Sequence, residues 1–203
     1  MGFQEHEKRA RHSDAHRSVA ARPGIAPRHE IGLTLGRQFG VSRGGLDLQS
    51  GQALQANYGY RFTGGEKAAL YGEVHFLATP QQQVSSVNTA ATRDVATTFL
   101  TPGVRVKFVP TRAVSPYLAA GAGWALFEHS KLTMGGSPNP APRTASHGVI
   151  NFGGGVDVKL WRWLGLRGEI RDFYAGSPAY NVASLRGGQH NIVMGGGFVL
   201  RFR

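Results

Sequence analysis

No cysteine occurs in the 203 residues, so the chain offers neither a disulfide framework nor a thiolate-ligated zinc site. It also lacks any apolar run of about 18 residues, which excludes a membrane-crossing helix but not crossing strands, for which about 9 to 11 residues suffice. Acidic residues are few: 12 Asp and Glu stand against 23 Lys and Arg, for a net charge of +11. These cations are spread along the chain, with no nucleic-acid-binding module and no platform of interleaved aromatic and basic residues, so nucleic acid is not an expected partner. Glycine is abundant, at 29 residues. Inside strand-like sequence it marks bends and close backbone approaches, and a small barrel needs both.

What the chain does have is rhythm. From about Ile31 to Arg203, eight β-like segments are separated by gaps that run long, short, long, short, long, short, long. A membrane barrel has tight turns on one rim and long loops on the other, and an even strand count brings both chain ends to the tight-turn rim. The spacing therefore predicts an all-β fold over residues 29–203: a closed eight-stranded antiparallel up-and-down transmembrane β-barrel. A disordered basic extension is expected over residues 1–28. That stretch has no apolar core of the roughly 7–15 residues a secretory signal needs, so export implies a sequence that starts after its signal or a misassigned start. The four histidines of Met1 to Glu30, His6, His12, His16 and His29, are irregularly spaced in polar sequence and read as a solvated tail rather than a metal site.

The clearest segment is Leu100 to Phe108. Leu100, Pro102, Val104, Val106 and Phe108 alternate with Thr101, Gly103, Arg105 and Lys107, so one face suits lipid and the other water. The other segments, near 31–39, 54–62, 70–76, 117–126, 150–160, 164–171 and 192–202, repeat the pattern with Leu, Ile, Val and Phe on one side. Tyr58, Tyr60, Phe62, Phe108, Trp161 and Trp163 fall on the apolar face near the short-turn rim, as an aromatic girdle at a membrane boundary does. Long connections are expected at Gly40 to Ser50, Thr79 to Val95, Ser130 to Ser146 and Gly176 to Gln189. They are rich in Gly, Ser, Pro, Asn and Gln, like mobile surface loops.

This hairpin rhythm, the Leu164 to Tyr174 segment LGLRGEIRDFY and the final Gly197 to Phe202 segment GFVLRF together resemble the small outer-membrane barrels typified by OmpA and OmpX. The resemblance covers about residues 29 to 203. It implies outer-membrane localisation and contact with outer-membrane lipids and lipopolysaccharide. It further implies an assembly signal at Phe198, Leu200 and Phe202, read by the barrel-assembly machinery; here Arg203 follows the terminal aromatic. No peptidoglycan-binding domain follows Arg203, so the anchoring role of longer relatives is not expected.

The inward positions collect Arg61, Glu73, His75, Arg105, Lys107, Asp157, Lys159, Arg167, Glu169, Arg171 and Arg201. Unpaired charge in a narrow lumen is costly, so the acids are expected to bridge neighbouring Arg and Lys in a packed ion-pair network. An eight-stranded barrel is only wide enough for its own side chains, and a narrow route, if open, would favour anions. Catalysis by His75, His147 or His190 with Ser146 and Glu128 is disfavoured, because adjacent Ser146 and His147 point to opposite faces of a strand. A soluble lipocalin-like barrel is the other alternative, distinguished by an apolar rather than a charged interior. The expected function is therefore non-enzymatic and without cofactor or metal: envelope integrity, or adhesion and recognition of an external ligand through the long loops. Protein refolded in detergent is expected to show β-rich circular dichroism and to migrate faster on SDS gels when left unboiled. A β-rich protein that stays soluble without detergent and shows no shift on boiling would contradict the barrel.

Overall fold

Alternating polar and apolar residues hold a strand only when each face meets its own solvent, and the computed structural model sorts the faces in that way around a closed ring. It describes residues 27–40, 42–43, 46–176, 180–181 and 187–203; the expected extension over 1–28 lies, up to residue 26, outside them. The strands are β1 (His29–Gln38), β2 (Ser42–Arg43), β3 (Leu46–Leu48), β4 (Gly51–Gly64), β5 (Ala68–Ser86), β6 (Asp94–Phe108), β7 (Val114–His129), β8 (Thr144–Lys159), β9 (Leu164–Gly176) and β10 (Gly188–Phe202). β1 and β4 to β10 make the ring, each antiparallel to its neighbours in sequence. Pairing of β1 with β10 closes it, while β2 and β3 attach to the far end of β5.

The ring is staggered. Paired residues traced once around it from Glu30 run through Gly59, Glu73, Gly103, Gly121, Asn151, Phe173 and Asn191, and return to β1 beyond Gln38. Such stagger inclines the strands by about 35–45° and fixes the bore. Outside, Leu33, Leu35, Leu118, Ile150, Phe152, Ile170 and Phe198 belong to a continuous exposed apolar band. That band would drive aggregation in water and is the surface a bilayer solvates.

The interior is layered. Toward the tight turns it is charged. Across the middle lie amides and hydroxyls: Gln55 donates to Thr34, and Asn151 bonds Thr101. Toward the long connections it becomes apolar, with Leu77, Phe99, Phe127, Phe173, Val149 and Val193 buried together and Leu46, Leu48 and Tyr180 folded down onto them. Phe99 stacks on Phe173 at 5.1 Å between centroids and meets Phe127 edge-on at 6.0 Å. Within this layer Gln38 is fully satisfied: its carbonyl accepts from Thr79 and Thr97, and its amide donates to Gln82 and Asn191.

The long-connection end departs from the sequence expectation. The stretch 79–95 is mostly strand, because β5 and β6 continue past a bulge between Thr79 and Gln82, which accommodates Pro80 and its missing N–H. The 40–50 connection contains β2 and β3, whose Leu46 and Leu48 gain burial by pairing. Residues of the remaining connections bond one another: Met134 donates to Ala91, Gly135 to Thr89, Thr92 to Tyr180, and the Asn181 amide to Ala90 and to Asn139. They form one joined cap rather than independent loops. Phe99→Ala, which empties the centre of the apolar layer, is expected to cost about 3–5 kcal/mol. Urea unfolding of the bilayer-inserted protein, followed by tryptophan fluorescence, measures it.

Candidate functional site

Charged side chains enter the lumen because inward positions on adjacent strands sit at matching heights. Glu30, at the start of β1, is the hub. Lys107 donates to its two oxygens at 2.5 and 2.8 Å, Arg105 donates at 2.8 Å, and Arg167 and Arg201 approach to 3.5 Å. Asp157 receives both a bidentate pair from Arg167, at 2.7 and 2.9 Å, and Lys107 at 2.6 Å. Glu73 bridges Arg171 at 2.5 Å and Arg105 at 3.1 Å, while Glu169 accepts from Arg171 at 3.1 Å, Tyr117 at 2.8 Å and Thr34 at 3.3 Å.

Four carboxylates thus face five cations, all but Arg201 deeply buried. Ring faces supply further compensation. Arg105 lies 5.1 Å from the Tyr71 centroid and 5.4 Å from that of Tyr117, and Arg167 lies 4.9 Å from Tyr117. Space for these arginines and rings comes from inward glycines: a Cβ at Gly59 would strike Arg105, and one at Gly155 would strike Tyr117.

Of the lumen residues expected from sequence, the structure brings together Glu73, Arg105, Lys107, Asp157, Arg167, Glu169, Arg171 and Arg201. His75 lies beside them, its Nδ1 3.9 Å from Glu73 and its Nε2 3.2 Å from Gln55. Two placements are corrections. Lys159, the last residue of β8, is exposed, and Arg61 is half-buried at the rim; neither has an ion pair among the described residues. Both sit where inclined strands run out of the lumen, so their inward parity no longer means enclosure.

Glu30 itself was missed. It precedes the segment read as strand one, yet it shares the parity of Gly32, Thr34 and Gln38, which was the available signal. Tyr58, Tyr60, Phe62, Phe108, Trp161 and Trp163 lie on the outer surface toward the tight turns, Tyr60 half-buried and the others exposed. His29 joins them, stacked on Phe202 at 5.4 Å and bonded to the Tyr58 hydroxyl at 2.8 Å. Phe198, Leu200 and Phe202 line the outer face of β10.

The candidate catalytic groups are dispersed. His75 is enclosed in the lumen, His147 packs on Phe127, Glu128 pairs with Arg143, and His190 pairs with Asp172 on the outer surface. No hydrogen bond links any two of His75, Ser146, His147, His190 and Glu128 among the described residues. Among the described residues, clefts open at both ends. One, at the tight-turn rim, is lined by Arg28, Tyr60, Arg61 and Phe62; the other, beside the cap, by Gln81, Asp94, Glu128, Ser130 and Arg143.

A charged lumen inside an apolar exterior is the inverse of a soluble ligand-binding barrel, and it overturns the lipocalin-like alternative. It defines a membrane-spanning barrel. The profile of the outer membrane protein beta-barrel domain matches residues 18–198, and the chain belongs to that family. Among solved structures it is similar to Neisserial surface protein A (NspA), at 14% identity and a TM-score of 0.55, covering 86% of this chain and 96% of that one. It is also similar to OprG from Pseudomonas aeruginosa, at 12% identity and a TM-score of 0.54, covering 89% and 99%. At these identities the likeness shows the fold. No curated protein matches the sequence.

Glu30→Gln would leave Lys107 and Arg105 buried with less counter-charge than they now have. The substitution is expected to destabilise by about 3–5 kcal/mol, whereas Lys159→Gln should be neutral. Urea midpoints of the two variants in the same bilayer provide the comparison.

Proposed function

We propose that this protein is a non-enzymatic outer-membrane barrel that serves envelope integrity or surface adhesion and recognition through its long-connection end. The observation that carries this reading is the filling of the lumen at two levels: the ion-pair layer around Glu30 and Asp157, and the apolar layer around Phe99, Phe127 and Phe173. With the bore occupied, transport is not the favoured use of the fold. The surfaces left for recognition are the outer ones. The joined cap supports the same reading, since bonds between Asn139, Asn181, Ala90, Ala91 and Met134 hold a polar surface in one shape. A preformed surface binds with less ordering cost than a loose loop. Lipopolysaccharide is the natural neighbour of this end, and the barrel-assembly machinery the natural reader of Phe198, Leu200 and Phe202.

The test replaces residues 131–142 with a short Gly-Ser linker in a strain whose own copy is deleted. The linker variant is expected to keep the gel shift of the folded barrel and resistance to detergent, but to lose surface adhesion relative to the intact chain. Steady single-channel conductance from the purified protein in planar bilayers, or adhesion and detergent resistance both unchanged by deletion of the gene, would sink the proposal.

A further inference from the structure

The two ends of the barrel treat their exposed charges differently. At the long-connection end several charges are met within the chain: Arg93 pairs with Asp94 and Arg143 with Glu128, both at 2.8 Å, and His190 bonds Asp172 at 2.6 Å, while exposed Arg37 and Lys131 have no ion pair among the described residues. At the tight-turn rim the cations outnumber the acids far more, and none of those cations is paired among the described residues. The turn after β4 carries Glu66 and Lys67, the turn after β6 carries Arg112, and the end of β8 with its turn carries Lys159 and Arg162. Arg28 precedes β1, Arg61 lies beside it, and Arg203 follows β10. None of these cations has an ion pair among the described residues, and Glu66 is the one acid in the three turns. A ring of like charge without internal compensation repels itself and draws counter-charge from outside.

The aromatic residues fix what that counter-charge is. Trp161 and Trp163 stack at 6.4 Å and stand 60% and 58% exposed, on either side of Arg162 in sequence. Phe62, Phe108 and Phe202 are exposed on the same rim. Amphipathic rings at strand ends settle at the depth of lipid headgroups, which holds the neighbouring guanidinium and ammonium groups at the height of the phosphates. Arg28 and Arg61 also line one cleft with Tyr60 and Phe62. Paired guanidinium donors beside rings suit a phosphodiester and its glycerol backbone.

We propose that the tight-turn rim is a binding surface for anionic phospholipid headgroups of the leaflet it faces, with the phosphate of a lipid such as phosphatidylglycerol as the recognised group. The rim selects its own annular lipid and so sets the height of the barrel in the membrane. The unpaired cations carry the selectivity, and the rings carry the depth.

The test uses the full chain in mixed bilayers with spin-labelled phosphatidylglycerol or phosphatidylcholine, reading the motionally restricted lipid by electron paramagnetic resonance. The intact protein is expected to prefer the anionic lipid by about threefold or more. That preference should fall to parity in the combined variant Lys67→Gln, Arg112→Gln, Lys159→Gln, Arg162→Gln, and stay unchanged in Arg93→Gln with Arg143→Gln. Gel shifts on boiling verify that each variant is folded. On the intact protein, the preference should also collapse between about 0.05 and 1 M salt, which keeps the test decisive if the combined variant fails to fold. Equal affinity for the two lipids, or a preference that survives salt or the four substitutions, overturns the proposal. Binding of polyglutamate by a protein without lipid preference would overturn it in favour of an acidic soluble partner.

Discussion

Charge compensation inside the bore is the interaction on which the rest of this barrel depends. Taking a carboxylate or guanidinium out of water costs several kcal/mol even after relaxation, and a good pair does little more than recover that cost. The network around Glu30, Asp157, Glu73 and Glu169 therefore acts less as a source of stability than as a condition on geometry. Slipping any strand by one residue would send its charges into lipid and its leucines into the lumen. The stagger that returns the path from Glu30 to the far end of β1 is the arrangement in which Lys107 reaches both Glu30 and Asp157, and Arg171 both Glu73 and Glu169.

Above that layer the lumen changes solvent character without changing the strand pattern. Inward residues of the same strands pass from Arg105 and Lys107 to Thr101 and then to Phe99 and Val95 along β6, and from Arg167 and Arg171 to Phe173 and Ala175 along β9. The apolar stretch lies where β2, β3 and the cap fold over the mouth, so it has an ordinary hydrophobic core of its own. The barrel thus closes by two different means at its two ends, ion pairs below and close packing above. Both leave the outer surface free to meet lipid and whatever lies beyond it.

The rims then differ in what they ask of their surroundings. At the capped end Arg93 and Arg143 find acidic partners within the chain, whereas the tight-turn rim presents Lys67, Arg112 and Arg162 without any among the described residues. A net charge of +11 is therefore not spread evenly over the molecule in effect, even though the cations are spread along the sequence. Pairing within the chain offsets part of it at one end, whereas the rim cations at the other have no ion pair among the described residues.

Period-two alternation is local, so the sequence by itself determined the all-β class, the eight crossings and the face on which nearly every side chain stands. Leu100 to Phe108 could be read as lipid-facing and lumen-facing without any partner strand, because consecutive residues of an extended chain must point oppositely. Partnership is not local. Arg105 meets Glu30 across 75 positions and Arg171 meets Glu73 across 98. Only the closed, staggered ring decides that Glu30 is the hub, that Lys159 and Arg61 fall outside the network, and that β5 continues past Pro80 to Ser86. The tertiary structure alone settled the depth of each inward residue, because the incline of the strands, and not their sequence parity, determines which residues share a level in the bore.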